Sequence, residues 1–472
     1  MTEPVRPGRI AVIGGGISGL AAAHRLNEID PTIEVALFER GSRLGGVLHT
    51  VHEQGFQVEQ SADNFITTVP WGLDLCRRVG LADELVQTNP AFRQTFVVRR
   101  GRLHKLPDGF LMMAPTRLWP LAITPILSPF GKARAALEFF LPPRRTDDDE
   151  SMANFARRRL GREVFERLIE PLVAAVYAAD MEKLSLDATL SQFREMEREH
   201  GSLIRAMRAR KKKAPAARGD SGARYSMFVT PRRGLSSLIE ATAARLPAGT
   251  ARLATEVRQI AFDDGRWRIE TDRGPVESFD ALILATPAYE TARLLEPLDR
   301  ALAADLASIE HSGTAIVSVA YRREQVGHRL DGMGAVMPAV EKSPILACSF
   351  SSQKYVHRAP EGTVLLRVFA GGARRPELAT MDDRQLRPLV LNELKKLLRI
   401  EGEPIFENIA HWPRTMPQYH VNHRRLVARI ETAAAKLPRL ALAGNAYHGV
   451  GIPHCIHSGE EAAAFLHKDR SS

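Results

Sequence analysis

At 472 residues, with 44% hydrophobic and 25% charged side chains, the chain has an ordinary globular composition and is too long for one simple core. Two or three structural units are expected, and a formal net charge of +10 calls for an acidic partner: nucleic acid, anionic lipid or a polycarboxylate ligand. Three widely spaced cysteines (Cys76, Cys348, Cys455) exclude a cysteine-rich metal site and point to a reducing compartment. No apolar leader opens the chain and no apolar run reaches the roughly 18 residues of a spanning helix. The expectation is a cytoplasmic protein, at most lying on the inner face of a membrane.

In chain order, Ile10–Ile13 reads as a short buried strand, followed by Gly14, Gly16 and Gly19 in G-x-G-x-x-G spacing and by a helix of small residues from Leu20. Gly14 permits the turn out of the strand, Gly16 lets the backbone approach a pyrophosphate, and Gly19 lets helix and sheet pack closely. Free amides at the helix N-terminus, at Ile17 and Ser18, complete an anion site. A second strand, Glu34–Phe38, ends at Glu39, twenty residues beyond Gly19, where an acid should hold a ribose hydroxyl. Arg40 and the R-x-G-G of Arg43, Gly45 and Gly46 follow. An Arg there can reach phosphate oxygens while the glycines leave room for a flavin, which moves the reading from NAD to FAD.

Gly55–Glu59 alternates like a strand, Leu73–Val79 reads as a short helix, and strands at 94–99 and 102–106 flank a turn at Arg100-Gly101. From Phe110 to Leu141, Leu, Met, Ile, Phe and Trp119 dominate, with prolines and with Arg117, Lys132 and Arg134 interspersed. That stretch reads equally as a pocket wall and as a monotopic membrane face with basic residues at the headgroups. Ser151–Tyr177 is a helix with a Ser N-cap. His200–Arg224 is dense in Arg and Lys but lacks aromatics, so it reads as a solvated loop and not as a nucleic-acid site.

From Met227 the α/β pattern returns, with a helix to Leu246 and strands at 251–257, 260–262, 267–270 and 281–285, the last stopped by Thr286-Pro287. β-rich runs at 314–321, 344–350 and 363–369, a helix at 382–398, a closing strand at 440–444 and a final helix from about 458 to 466 complete the chain. Nucleotide-binding pieces at the start, middle and end imply one Rossmann-like domain assembled from separated segments. The expected division is 1–90, 225–290 and 424–472 for FAD, 91–205 for a helical, substrate-lining and membrane-associating unit, 206–224 for a basic flexible loop, and 291–423 for substrate.

The chain resembles the porphyrinogen oxidases, the FAD enzymes of late haem synthesis that act on protoporphyrinogen or coproporphyrinogen. GGGISGLAAAHRL and FERGSRLGG are shared with any flavin amine oxidase relative. Four segments are more specific: Phe96–Phe110, Glu150–Leu186, His411–His423 and Leu442–Ala463. The resemblance implies an α/β, p-hydroxybenzoate-hydroxylase-like FAD domain with a mixed-sheet substrate domain and a helical domain. It implies FAD as cofactor, oxygen as acceptor with peroxide released, and no catalytic side chain, the flavin carrying the chemistry. Gly14, Gly16 and Gly19 would cradle the pyrophosphate and Glu39 the ribose. Arg43, Gly45 and Gly46 would flank phosphate and flavin, and the Val257 backbone would pair with adenine. Thr286, Trp412, Gly444, Val450, Gly451 and Ile452 would close around the ring end. Where many members carry Gly-Pro before the residue facing the flavin, this chain has Ser61-Ala62, then Asp63 and Asn64, read here as substrate contacts. A propionate-gripping Arg of some members falls near Thr95, and Arg93, Arg99 or Arg100 is the alternative here. No metal is implied, and a homodimer stays open. The competing readings are a carotenoid desaturase or amine oxidase, and a flavin-free carrier resembling the Rab dissociation inhibitors.

Overall fold

The first apolar run becomes the strand Arg9–Ile13, buried from Ile10 onward in a computed structural model that describes residues 8–115, 117–213 and 227–468. It is the middle strand of a five-stranded parallel sheet ordered 251–252, 34–38, 9–13, 281–284, 440–442. Ile10 and Val12 pack with the helices Ile17–Ile29 and Ile452–Lys468 on one side, while Ala11 and Ile13 pack with Trp267, Phe279 and the helix Ala288–Leu295 on the other. A parallel sheet covered on both faces needs this continuous apolar run instead of an alternating one. Both flanking helices leave the carboxyl edge of the sheet, where ligands bind in open α/β folds.

A second, seven-stranded mixed sheet has the order 406–417, 311–322, 363–371, 345–350, 334–336, 95–99, 102–105. Its strands alternate. Phe96, Val98, Leu366 and Val368 face the helix Asp383–Leu398, while Val97, Val336 and Ala347 pack into the core of the helical unit. Paired residues share a face, so the ladder sets Thr95, Gly334, Ser349, Arg367, Ser318 and Asn408 in one row beside that apolar row.

The helical unit is organised on a buried ion pair. Arg159 and Glu138 are both fully buried, with Arg159 Nε at 3.0 Å from the Glu138 carboxylate. Glu138 also caps the helix Leu203–Lys213, accepting from Leu203 N–H at 2.8 Å and from the Ser202 hydroxyl at 2.6 Å.

Four expectations need correction. The final helix starts at Ile452, not 458: Pro453 sits in its first turn, where a missing N–H costs nothing, so the glycines before it end the loop early. The run 251–257 is interrupted, because Ala254 takes φ +49° and splits it into Ala251–Arg252 and Val257–Asp263. Ser151–Tyr177 breaks at Gly161, with φ +90°, and carries a π-turn at Phe165–Ile169. The basic loop expected from 206 begins as helix through Lys213, and 214–224 lie outside the described residues.

Candidate functional site

The glycine loop leaves the strand at Gly14, whose φ of +107° and closeness to Ala285 O (2.6 Å from an added Cβ) admit only glycine. At Gly19 an added Cβ would overlap the Gly14 carbonyl, so this helix turn lies directly on the loop. Gly16 differs: its φ is −67°, and a Cβ there would meet nothing within 4 Å. Next to it, Ile17, Ser18 and Gly19 open the helix with amides that find no acceptor inside it. The loop therefore fits a pyrophosphate.

Gly45 and Gly46 seal the other side. Gly45 N–H donates to Gly15 O at 2.8 Å, and a Cβ on Gly46 would stand 3.3 Å from Gly16 Cα. The Glu39 carboxylate accepts from Gly15 N–H at 2.8 Å and Gly41 N–H at 2.7 Å, and keeps lone pairs free for a hydroxyl. The Arg43 guanidinium donates to Leu44 O and Leu48 O at 3.1 Å and to Gly46 O at 2.6 Å, and so shapes its own loop. Arg40 is exposed, 3.8 Å from Glu290. Val257 opens its strand with its carbonyl on Arg293 at 3.2 Å, and the Thr286 hydroxyl meets that of Thr291 at 2.8 Å.

Toward the second sheet, Trp412 Nε1–H donates to Gln60 O. Gln60 reaches His49 Nδ1 at 2.8 Å and Asn408 Oδ1 at 2.9 Å, which joins the Gly45–His49 segment to the sheet. Gly444 N–H donates to Ser458 Oγ at 3.0 Å, and Val450, Gly451 and Ile452 lead into the last helix. Tyr419, absent from the sequence expectations, pins this segment: its hydroxyl donates to Asn445 O at 2.6 Å and accepts from Gly449 N–H at 2.8 Å.

Asp63 is not available to a substrate. Lys354 Nζ lies 3.1 Å from both its oxygens, with Arg367 Nη1 at 3.3 Å and Arg358 Nη1 at 3.5 Å. Burial alone would raise the Asp63 carboxyl, but these three cations hold it well below the usual carboxylate range. Asn64 is likewise engaged, donating to the Tyr355 hydroxyl at 3.2 Å. A single charge within an apolar strand, as in TVLLRVFAG, was the signal for Arg367; Lys354 and Arg358 sit in short helical turns without one.

Arg93 and Arg99 behave differently. Neither side chain has an acidic partner among the described residues, and the buried Nε of each has no acceptor. Arg99, two residues beyond Val97, shares the sheet face turned to the helical unit.

The profile of the family "Flavin containing amine oxidoreductase" matches residues 17–466. The coproporphyrinogen III oxidase of Bacillus subtilis (strain 168) is 34% identical over 96% of this chain and 97% of its own. The chloroplastic protoporphyrinogen oxidase of Nicotiana tabacum is 30% identical over 96% of this chain and 84% of its own. A crystal structure from Exiguobacterium sp. 255-15 superposes with a TM-score of 0.88 at 31% identity, covering 98% and 99% of the two chains. The fold is the flavin amine oxidase type, the cofactor is FAD, and the chain belongs to the flavin-containing amine oxidoreductases, standing among them with the porphyrinogen oxidases.

Proposed function

We propose that this enzyme takes protoporphyrinogen IX to protoporphyrin IX, removing six hydrogens in three rounds while three oxygen molecules become three of hydrogen peroxide. The flavin supplies the hydride chemistry when bound, and the protein supplies orientation. Gly14, Gly16 and Gly19 with the first amides of the helix hold the pyrophosphate, Glu39 the ribose, and Trp412 with Val450–Ile452 the ring end. What supports the substrate reading is the 30–34% identity to porphyrinogen oxidases, together with Arg93 and Arg99, whose buried Nε atoms have no acceptor among the described residues. A macrocycle with carboxylates at its rim asks for apolar walls and cations at their edge. A second reading, coproporphyrinogen III to coproporphyrin III, is favoured by the names of the bacterial relatives at 34% identity.

Charge-assisted hydrogen bonds are worth about 1.5–3 kcal/mol. Arg93→Ala and Arg99→Ala are each expected to raise KM roughly tenfold or more with kcat little changed. Steady-state kinetics on both porphyrinogens check this: the substrate losing more kcat/KM is the one the arginines serve, and unchanged KM on both removes them from recognition.

The segment 118–140 supports a peripheral membrane role better than a pocket-wall one. Trp119 is 73% exposed, Phe130 88% and Phe140 75%, while Arg205 and Arg208 lie over the Phe139 ring at 4.5 and 5.5 Å. Exposed aromatics bordered by cations match the boundary of an anionic bilayer. No helix among the described residues is long and apolar enough to cross one. Co-sedimentation with phosphatidylglycerol vesicles is expected, weakened severalfold in Phe130→Ser/Phe140→Ser. Concentration-dependent self-association without vesicle binding would make this a homodimer face instead.

A further inference from the structure

We propose that Lys354, Arg358 and Arg367 are positioning residues that hold the loop Gln60–Asn64 against the flavin site and place a surplus positive charge beside it. The loop belongs to the wall of that site. Gly45 is bonded to Gly15, Gln60 N–H donates to His49 O at 2.8 Å, and Trp412 binds Gln60 O, so one continuous chain of contacts runs from the pyrophosphate loop to the second sheet. Three carbonyls in four residues are then taken by that sheet and its connections: Gln60 O by Trp412, Ser61 O by Arg367 and Asp63 O by Arg358, the last at 2.9 Å.

The charges do not cancel. Three cations face two acids, Asp63 and Glu59, and Arg358 lies 3.6 Å from Glu59. Burial pushes the Glu59 carboxyl up and the Lys354 ammonium down, each toward its neutral form, so the surplus rests on the count of three cations against two acids. Arg358 and Arg367 are 0% and 2% exposed, so salt screens them little. The Nε–H of each finds no acceptor among the described residues, leaving donors in excess of the acids. Two electrons arriving at the flavin are stabilised by such fixed positive charge, which raises the potential at which it accepts them.

The test measures the flavin midpoint potential of the holoenzyme in Lys354→Met and Asp63→Asn, by equilibration with a reference dye. Removing a cation is expected to lower the ratio of reduced to oxidised flavin at a fixed poise at least threefold, and removing the anion to raise it at least threefold. Each is about 14 mV for a two-electron couple. Arg367→Lys keeps the charge, so it is expected to hold the potential while FAD dissociates more readily, as flavin fluorescence reports. Unchanged potentials, or shifts of one sign in both charge variants, overturn the proposal. If Asp63→Asn does not fold, Lys354→Met against Arg367→Lys decides alone. Substrate turnover does not enter, so the result stands apart from which porphyrinogen is oxidised.

Discussion

Gly16→Ala is expected to give a folded protein that has lost at least tenfold in FAD affinity, about 1.4 kcal/mol. The backbone at Gly16 is already in a conformation that alanine adopts, and a Cβ there touches no protein atom within 4 Å. The methyl group therefore costs the fold little and takes up space at the helix N-terminus, where a pyrophosphate would approach. Gly19→Ala is the contrast. Its Cβ would overlap the Gly14 carbonyl, a backbone atom that cannot swing away, so the helix must shift from the loop. That variant is expected to be colourless and less stable by about 1–3 kcal/mol, the usual cost of overpacking. Flavin absorbance after desalting, together with the melting temperature of the apoprotein, separates the two. Equal flavin retention in Gly16→Ala and wild type would remove this loop from the cofactor site.

Arg159→Met is expected to destabilise the helical unit by about 3–5 kcal/mol, because it leaves the Glu138 carboxylate buried without its cation. Arg159 also donates to Gly201 O at 2.9 Å and to Pro142 O at 3.1 Å, so two chain segments, 138–142 and 197–201, lose their common donor. The same residue lies 3.3 Å from Glu197, which holds Arg158 at 2.9 Å. Scanning calorimetry should show the lowest transition falling by roughly 10 °C. Exchanging both partners, in Arg159→Met/Glu138→Leu, should recover only the part of the loss that comes from the buried charge, since the amides that Glu138 caps lose their acceptor. A single variant as stable as wild type would show that the pair organises nothing.

These expectations draw unequally on sequence and structure. The parallel sheet was legible because each of its long strands is a continuous apolar run and its first loop needs glycines at fixed spacing. The strands of the second sheet were legible for a different reason: 95–99 and 363–371 alternate between two cores. What local pattern could not show is how the insertions close on the glycine loop. Asp63 reads as a polar residue near a ligand, yet its partners lie 291 to 304 residues away on a short helix, a turn and a strand. Arg43 was placed on phosphate by its offset from Glu39, but three carbonyls of its own loop lie within its reach. The last helix was begun too late because Gly449, Gly451 and Pro453 look like a turn, although a proline in the first helical turn breaks nothing.

The central claim is that the flavin site belongs to a porphyrinogen oxidase. Aerobic incubation of the purified holoprotein with freshly reduced protoporphyrinogen IX, and separately with coproporphyrinogen III, tests it by porphyrin fluorescence and peroxide release. At least one substrate should yield porphyrin with three peroxides for each ring formed, and protein freed of FAD should yield none above the autoxidation blank. Flavin-loaded protein that forms neither porphyrin faster than that blank would contradict the account.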